Sequence, residues 1–253
     1  MRGIERKTAI MEQLRQKERV DVTELASLFN VSTMTIRRDL AKLAKDGLVI
    51  QEYGGATLKR TGLFEYPIPM KQTVYRNEKY RIAKQCEHYI QEGDSIFLDA
   101  GTTVAELAKL LAERPKHITV MSHSLLVANI LATVPEIELI LCPGHFRIKS
   151  IACMGQLTDN FLASFHIDKL FLGVEGVASN FGLSVPHIAD GATKQTLLRR
   201  SDWIACMADS SKFGHNFYYK ICDLSQVDIL VTDTNISEDA IRPYEEKTKI
   251  IRV

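Results

Sequence analysis

The sequence predicts an α/β chain of 253 residues in two domains: a small N-terminal domain and a larger, mostly parallel α/β domain. Two observations predict this organisation. Short helical patterns followed by a glycine-centred hairpin fill residues 1–57, and from Ser95 onward apolar strands alternate with amphipathic helices. Because such alternation is typical of a parallel sheet with helices on both faces, we place the larger domain at residues 76–253.

The small domain contains three predicted helices and a hairpin. The helices are expected at Ile4–Gln16, from a cap at Thr23 through Phe29, and from Thr33 to about Lys45. Leu25, Leu28 and Phe29 form the apolar side of the second helix. Gly47 supplies the left-handed residue that ends the third helix, and Gly54-Gly55 centres the hairpin.

Residues 58–75 contain Pro67 and Pro69 and show no clear period, so we interpret them as a linker. The strands of the larger domain are expected at Ser95–Asp99, Ile118–Met121, Glu138–Cys142, Lys169–Gly173, Trp203–Ala208, Ile229–Thr232 and Lys249–Val253. Its helices are expected at about Asn77–Gln91, then Val104–Ala112, Leu125–Thr133, Leu157–Phe165, Thr193–Arg200 and Glu238–Lys247.

The composition indicates a soluble, cytoplasmic globular protein, because 45% of the residues are hydrophobic and no apolar run suits a membrane span or a signal peptide. The five cysteines form no C-x-x-C pair and sit among apolar neighbours. We expect reduced, mostly buried thiols, with a zinc site or a redox switch as the alternative. No cofactor and no metal are expected.

The third predicted helix has a core-facing side and an exposed side. At about 100° per residue, Ile36, Leu40 and Leu43 share one stripe, whereas Arg37 and Arg38 point away from it. Arginine donates to guanine edges and to phosphates. The first 60 residues also carry 12 Lys and Arg against 8 Asp and Glu, although the whole chain is only +1. A solvated surface helix is the alternative for this helix alone; the order helix, turn, helix, hairpin favours DNA binding.

The segment TIRRDL at residues 35–40, with Gly54 and Gly55 following it, resembles the winged helix-turn-helix of the DeoR family of bacterial transcription regulators. The residues expected to contact DNA are Ser32, Thr33, Met34, Thr35, Arg37, Arg38 and Tyr53. Of these, Ser32 and Thr35 are assigned to phosphates. Lys59 is a further candidate for the DNA backbone, and Asp39 is interpreted as an ion-pair partner that orients an arginine.

The clearest signal in the larger domain is DAGTT at residues 99–103, between a predicted strand and a predicted helix. Gly101 allows a close turn, and Thr102 and Thr103 place hydroxyls and N–H groups at a helix N-terminus, where the dipole favours an anion. A plain helix cap is the alternative. Further candidates follow other strands, where ligands of open α/β sheets bind. The complete set of ligand candidates is Asp99, Gly101, Thr102, Thr103, Ser122, His123, Ser124, Gly144, Glu175, Lys194, Asp209 and Lys212.

Several of these candidates have separate expected roles. Lys194 opens a helix, and Lys212 neutralises a phosphate as a point charge. Asp209 or Glu175 accepts hydrogen bonds from sugar hydroxyls. The Ser122-His123 and Gly144-His145 pairs depart from the pattern usual in the family, so the particular effector is not indicated.

The DAGTT turn, Pro143-Gly144 and the DSSKFG segment at residues 209–214 resemble the DeoR-family sensor domain. The resemblance implies a fold akin to ribose-5-phosphate isomerases, a phosphorylated sugar or polyol as effector, and a homo-oligomer (a dimer or a tetramer) that binds two-fold operator DNA. It implies a repressor of a carbohydrate catabolic operon, and no enzyme. The alternatives are a sugar-phosphate isomerase-like enzyme with an appended DNA-binding domain, or an activator, or a regulator whose ligand is unphosphorylated.

Overall fold

The chain divides into two units, Met1–Val74 and Tyr75–Val253, and the computed structural model describes residues 3–58 and 66–253. The elements of the first unit are α1 (Gly3–Lys17), β1 (Arg19–Asp21), α2 (Val22–Phe29), α3 (Thr33–Lys45), β2 (Val49–Glu52), β3 (Gly55–Leu58) and α4 (Ile68–Lys71). The strands form an antiparallel sheet in the order β1-β3-β2, which is the wing of a winged helix-turn-helix.

Local chemistry sets the boundaries of these helices. Asp21, and not the predicted Thr23, caps α2: its Oδ1 accepts hydrogen bonds from the backbone N–H groups of Thr23 (2.7 Å) and Glu24 (3.3 Å). After α3, Gly47 has the positive φ of 73° that the sequence predicts for a residue ending a helix.

The core of the first unit is apolar and comes from all three long helices. Ile10, Leu14, Ile36, Leu40 and Leu43 are completely shielded from solvent. The predicted stripe of α3 is therefore confirmed. The prediction for α2 is wrong at one position, because Leu25 is 2% exposed whereas Leu28 is 61% exposed. The side of α2 that packs inward is completed by Val22 and Ala26.

The segment interpreted as a linker is in part structured. Its residues 59–65, including Lys59, lie outside the described residues. Beyond them α4 follows Pro67, and its Met70 packs into the core of the first unit. That helix turn therefore belongs to the first unit.

The strands of the second unit are β4 (Ser95–Leu98), β5 (Ile118–Ser122), β6 (Ile137–Leu141), β7 (His145–Arg147), β8 (Ala152–Met154), β9 (Ile167–Gly173), β10 (Gly176–Ala178), β11 (Gly182–Val185), β12 (Ser201–Met207), β13 (Tyr219–Cys222), β14 (Ile229–Thr232) and β15 (Lys249–Arg252). The helices are α5 (Arg76–Glu87), α6 (Thr102–Glu113), α7 (Leu125–Leu131), α8 (Gln156–Leu162), α9 (Ile188–Arg200) and α10 (Glu238–Glu245).

All seven predicted strands are confirmed as one parallel sheet in the order β15-β14-β12-β9-β4-β5-β6. Starting from β4, the chain adds β5 and β6 on one side and β9, β12, β14 and β15 on the other. The strand order therefore reverses between β4 and β9. In open α/β sheets a crevice forms at such a switch point, beyond the carboxyl ends of the strands.

Two small antiparallel sheets were not predicted. One pairs β7 with β8, and the other has the order β10-β11-β13. The β7-β8 arm lies beside the ends of β5 and α7, because Cys153 N donates to His123 O and Leu125 N donates to Ile151 O.

The thiols of the chain are free, and four of the five cysteines are buried, as the sequence predicts. Cys153 alone is half-buried. Burial raises the pKa of the Cys222 thiol to about 12, with the Asp223 charge adding to it. Such a thiol stays protonated and is a poor nucleophile.

The contrast between Leu25 and Leu28 gives a test of the first unit's core. We expect Leu25→Ala to lower the free energy of unfolding by about 2–5 kcal/mol, because it leaves a cavity in a closed core. Leu28→Ala makes the same chemical change on the same helix and should cost less than about 0.5 kcal/mol. Urea denaturation of the full chain, with hydrogen exchange of the α3 amides, measures both. Equal losses in the two variants would contradict the packing described above.

Candidate functional site

The exposed side of α3 carries most of the predicted DNA contacts. Thr33, Met34, Arg37 and Arg38 are exposed, and Met34 is 60% exposed although it is apolar. A helix that buries Ile36, Leu40 and Leu43 and offers two adjacent arginines to solvent has the form of a recognition helix. The geometry thus leaves these side chains available to a DNA groove.

Ser32 and Thr35 have a structural task at the start of α3. Ser32 is the N-cap residue, and its Oγ accepts from Thr35 N at 3.2 Å and lies 2.9 Å from Thr35 Oγ1. Both hydroxyls therefore first stabilise the helix start. Their predicted contact with phosphate stays a prediction.

Asp39 is an ion-pair partner, but of a residue other than the recognition arginines. Its Oδ2 lies 2.6 Å from Arg6 Nε, and both side chains are almost fully buried. The pair fastens α3 to α1. Asp39 therefore orients the recognition helix as a whole rather than one of its arginines.

The wing presents Tyr53 at its tip. Tyr53 and Gly54 form the turn between β2 and β3, and Tyr53 is fully exposed. Gly55 is required for packing, since a Cβ there would lie 2.1 Å from the carbonyl oxygen of Val20. The tight wing thus holds an aromatic hydroxyl out to solvent, where a phosphate could reach it.

In the second unit, the DAGTT turn follows β4, next to the switch point. Gly101, with φ of 138°, is the N-cap of α6 and makes no side-chain cap. The N–H groups of Thr102, Thr103 and Val104 and the two threonine hydroxyls have no hydrogen-bond partner among residues 3–58 and 66–253. Both threonines are only 7% exposed. Unpaired donors at the start of a twelve-residue helix are the kind of group that an anion can bind, and anion binding at this turn stays a prediction.

Asp99 lies at the base of this turn and is completely buried. Its Oδ2 accepts from Lys194 Nζ and, at 2.9 Å, from the backbone N–H of Gly173 at the end of β9. Its Oδ1 lies 2.9 Å from His123 Nε2. One carboxylate thus joins the ends of β4 and β9 to α9 and to the residue that follows β5.

Lys194 is 2% exposed and lies in the second turn of α9, so the prediction that it opens a helix is wrong. The helix starts at Ile188, which places Asp190 in its first turn, 3.4 Å from Lys194 Nζ. Burial alone would lower the pKa of Lys194, but the carboxylates of Asp190 and Asp99 outweigh it and raise the pKa. Lys194 stays charged, and its charge serves the buried carboxylates.

Ser122, His123 and Ser124 are fully buried and engaged inside the protein. Ser122 Oγ donates to Leu98 O, and Ser124 caps α7. His123 Nδ1 lies 2.7 Å from the carbonyl oxygen of Cys153, so this nitrogen carries a proton. Ser122, His123 and Ser124 could contact a ligand directly only if the loop after β5 opened. As they stand, they pack beneath the DAGTT turn and support it.

The remaining candidates occupy separate places near the strand ends. Glu175 and Lys212 form an ion pair at 3.0 Å and are partly buried. Asp209 is 1% exposed, and its Oδ1 accepts from the backbone N–H of Ser211. A Cβ at Gly144 would lie 2.0 Å from Thr158 Oγ1, so this glycine serves close packing of the loop after β6.

The sequence shows Asp190 four residues before Lys194, where it departs from the acidic residue usual in the family, but it was not predicted as a partner of Lys194. The i, i+4 spacing pairs the two once α9 begins at Ile188 rather than at the expected Thr193. The β7-β8 arm was not predicted. The three-residue strands of the arm show no period that could predict them.

Known proteins are similar to this chain in both the helix-turn-helix unit and the α/β unit. Residues 6–61 match the DeoR-like helix-turn-helix domain, and residues 75–234 match the DeoR C terminal sensor domain. The chain is 33% identical to the putative aga operon transcriptional repressor of Escherichia coli O157:H7, over 94% of this chain and 88% of that protein. It is 31% identical to the glycerol-3-phosphate regulon repressor of Escherichia coli K12, over 92% of each chain.

Among solved structures, the second unit is similar to ribose 5-phosphate isomerase A of Methanocaldococcus jannaschii. That likeness has a TM-score of 0.41 and 17% identity, and it covers 55% of this chain and 54% of the isomerase. None of the helices in the described parts of the chain is long and apolar enough to span a bilayer.

A winged helix-turn-helix joined to an α/β sensor unit defines a DNA-binding transcription regulator that responds to a ligand. More particularly, the chain belongs to the DeoR family of transcription regulators. The family resemblance of the sequence is thereby confirmed.

The carboxyl group of Asp99 gives stability a pH dependence of definite sign. Burial alone would raise the pKa of Asp99, but the charge of Lys194 and the contact with His123 outweigh it and hold the pKa at about 2, below the usual 3.8. Because the folded-state pKa is lowered, the carboxylate stabilises the fold above about pH 3.8. That contribution is lost as the pH falls from 3.8 to about 2.

We therefore expect Asp99→Asn to lower the free energy of unfolding at pH 5 by on the order of 2 kcal/mol, and this difference from the native chain to shrink towards pH 2. Urea denaturation at a series of pH values measures it. Asp239→Asn, which removes a carboxylate that is 91% exposed, is the control. A difference between the native chain and Asp99→Asn that does not change with pH would contradict the charge cluster.

Proposed function

We propose that this protein represses a carbohydrate catabolic operon and leaves its operator when a phosphorylated sugar or polyol binds the second unit. The observation that supports this proposal most strongly is the set of hydrogen-bond donors in the Gly101–Val104 turn that have no partner among the described residues. This turn lies next to the switch point of the parallel sheet. Two relatives, a putative repressor of an aga operon and a repressor of a glycerol-3-phosphate regulon, support the same class of effector.

In this proposal the phosphate lies against the N–H groups and hydroxyls of Thr102 and Thr103. Glu175 follows β9, the strand next to β4, and Lys212 follows β12, the strand beyond it. Their ion pair opens so that Lys212 meets the phosphate and Glu175 accepts from a sugar hydroxyl. Asp99, Ser122, His123, Ser124, Gly144, Lys194 and Asp209 shape the strand ends around the ligand.

The second unit binds its ligand without turning it over. General acid–base catalysis needs a group that can exchange protons with a substrate. The obvious groups, Asp99, His123 and Lys194, are fully or almost fully buried and are paired with one another. A panel of aldose and ketose phosphates offered to the protein should therefore remain unconverted.

On DNA, the exposed side of α3 enters the major groove and Tyr53 approaches the backbone. The protein acts in the cytoplasm as a homo-oligomer, a dimer or a tetramer, because a two-fold operator needs two recognition helices in register. Mobility-shift binding to the DNA upstream of its own gene, titrated with sugar and polyol phosphates, tests the proposal as a whole. Specific binding that one such compound abolishes is the expected result, and the absence of specific binding at low salt would overturn it.

The recognition helix is tested by Arg37→Ala and Arg38→Ala. We expect each variant to weaken operator binding by about 1–3 kcal/mol, which is the range for a lost bidentate contact. Arg114→Ala removes an exposed arginine from the second unit and should leave affinity unchanged. Fluorescence anisotropy at fixed salt measures all three, and operator affinities equal to that of the native chain in both α3 variants would contradict the assignment.

The anion site is tested by the double variant Thr102→Val/Thr103→Val. The change removes two hydroxyl donors and turns methyl groups toward the phosphate, so it should abolish the effector response while operator binding stays intact. Thr119→Val, a change of the same kind on β5, should respond like the native chain. If the double variant still leaves the operator at the same effector concentration as the native chain, the phosphate does not bind at this turn.

A further inference from the structure

A cavity lies at the opposite end of the parallel sheet from the DAGTT turn. Its lining comes from residues 163–166, which precede β9, and residues 199–202, at the end of α9 and the start of β12. We call it the basal cavity. A strand of seven residues such as β9 spans about 23 Å, so the basal cavity is separated from the effector turn by the length of the sheet.

The cationic groups of the basal cavity are available to an anion. Arg199 and Arg200 both line it and are exposed, and among the described residues neither has a carboxylate within ion-pair distance. Arg199 donates only to Thr196 Oγ1, at 2.9 Å. Arginine at a helix C-terminus commonly interacts with the helix dipole, but that role requires no cavity.

The lining also holds one carboxylate. Asp202 is 68% exposed and lies 3.0 Å from His166 Nε2, on the same lining. The two guanidinium groups outnumber this carboxylate, so the lining keeps a net positive charge for an anionic ligand. Their planar forks match the oxygen pairs of phosphate and carboxylate groups.

The size and walls of the cavity fit a small molecule. It is open to solvent and has a volume of about 330 Å³, which is within the range of small-molecule sites. Phe165 and Ala163 supply apolar wall and Ser164 adds a hydroxyl group, whereas the Ser201 hydroxyl donates to Leu197 O. A site of this composition holds a compact anion rather than a long apolar ligand.

We propose that the basal cavity is a second anion-binding site, which takes a small phosphate or carboxylate compound through Arg199 and Arg200. It is independent of the effector turn in position and in residues. A ligand there binds the sensor unit at the same time as the effector.

The test uses the full chain with the effector turn disabled by Thr102→Val/Thr103→Val. Calorimetric titration with inorganic phosphate, and separately with malonate, should show saturable binding of at least one of them. Adding Arg199→Gln/Arg200→Gln should weaken that binding about tenfold or more, since charge-assisted hydrogen bonds are lost. Adding Arg81→Gln/Arg114→Gln instead removes two exposed arginines elsewhere in the unit and should leave it unchanged.

Two results would overturn the proposal. One is the absence of saturable phosphate and malonate binding, and the other is binding that survives loss of both basal arginines. Circular dichroism checks that the variants fold. If the arginine variant does not fold, the ring resonances of His166, assigned with His166→Gln, give the second measurement: they should shift on titration with the bound anion, and resonances that stay in place would reject the site.

Discussion

Asp99 is a carboxylate at the carboxyl end of β4, completely shielded from water, and the segments around it must supply its partners. A buried carboxylate without partners costs several kcal/mol, so its oxygens must be paired. Here Lys194 Nζ, the Gly173 N–H and His123 supply the partners. Because these come from α9, β9 and the residue after β5, one side chain fixes the relative positions of three segments at the carboxyl end of the sheet.

The site depends on this arrangement. Asp99 is followed by the Gly101 turn, and the start of α6 can present unpaired N–H groups only if that turn is held in place. Lys194 pairs with the Asp99 carboxylate in the protein interior. The N–H groups at the start of α6 are therefore left for the proposed anion. The five residues of the DAGTT turn thus combine two opposite features. Their carboxylate is fully paired, whereas the N–H groups at the start of the helix are unpaired.

Much of the fold was predictable because its signals are local and periodic. Each of the seven parallel strands contains a cluster of apolar residues, and α3 has the expected bounds, Thr33–Lys45. The β7-β8 arm and the β10-β11-β13 sheet were not predicted because their short strands lack the run of branched or aromatic residues that β4 and β14 have. Leu28 was misplaced for a related reason: an eight-residue helix leaves the choice of buried side open, and tertiary packing decides it.

The sequence located the proposed site better than it located the contacts of each residue. Glycine and threonine after a strand point to the proposed anion turn, since the chemistry lies in the backbone itself. Burial, in contrast, depends on neighbours that are distant in sequence. Ser122, His123 and Lys194 looked like ligand contacts from their place after strands or in helices, yet all three face inward to partners 24 or more residues away, such as Leu98 and Asp99.

The central claim is that the buried charge cluster of Asp99 and Lys194 holds the effector end of the sheet together. The free energy of unfolding of Lys194→Met, compared with that of Lys220→Met, tests it most directly. Lys220 pairs with Asp223 on the surface, so its loss should cost no more than about 1 kcal/mol. Lys194→Met should cost about 3–5 kcal/mol, because it leaves buried carboxylates without their cation. Equal, small losses in the two variants would contradict the account.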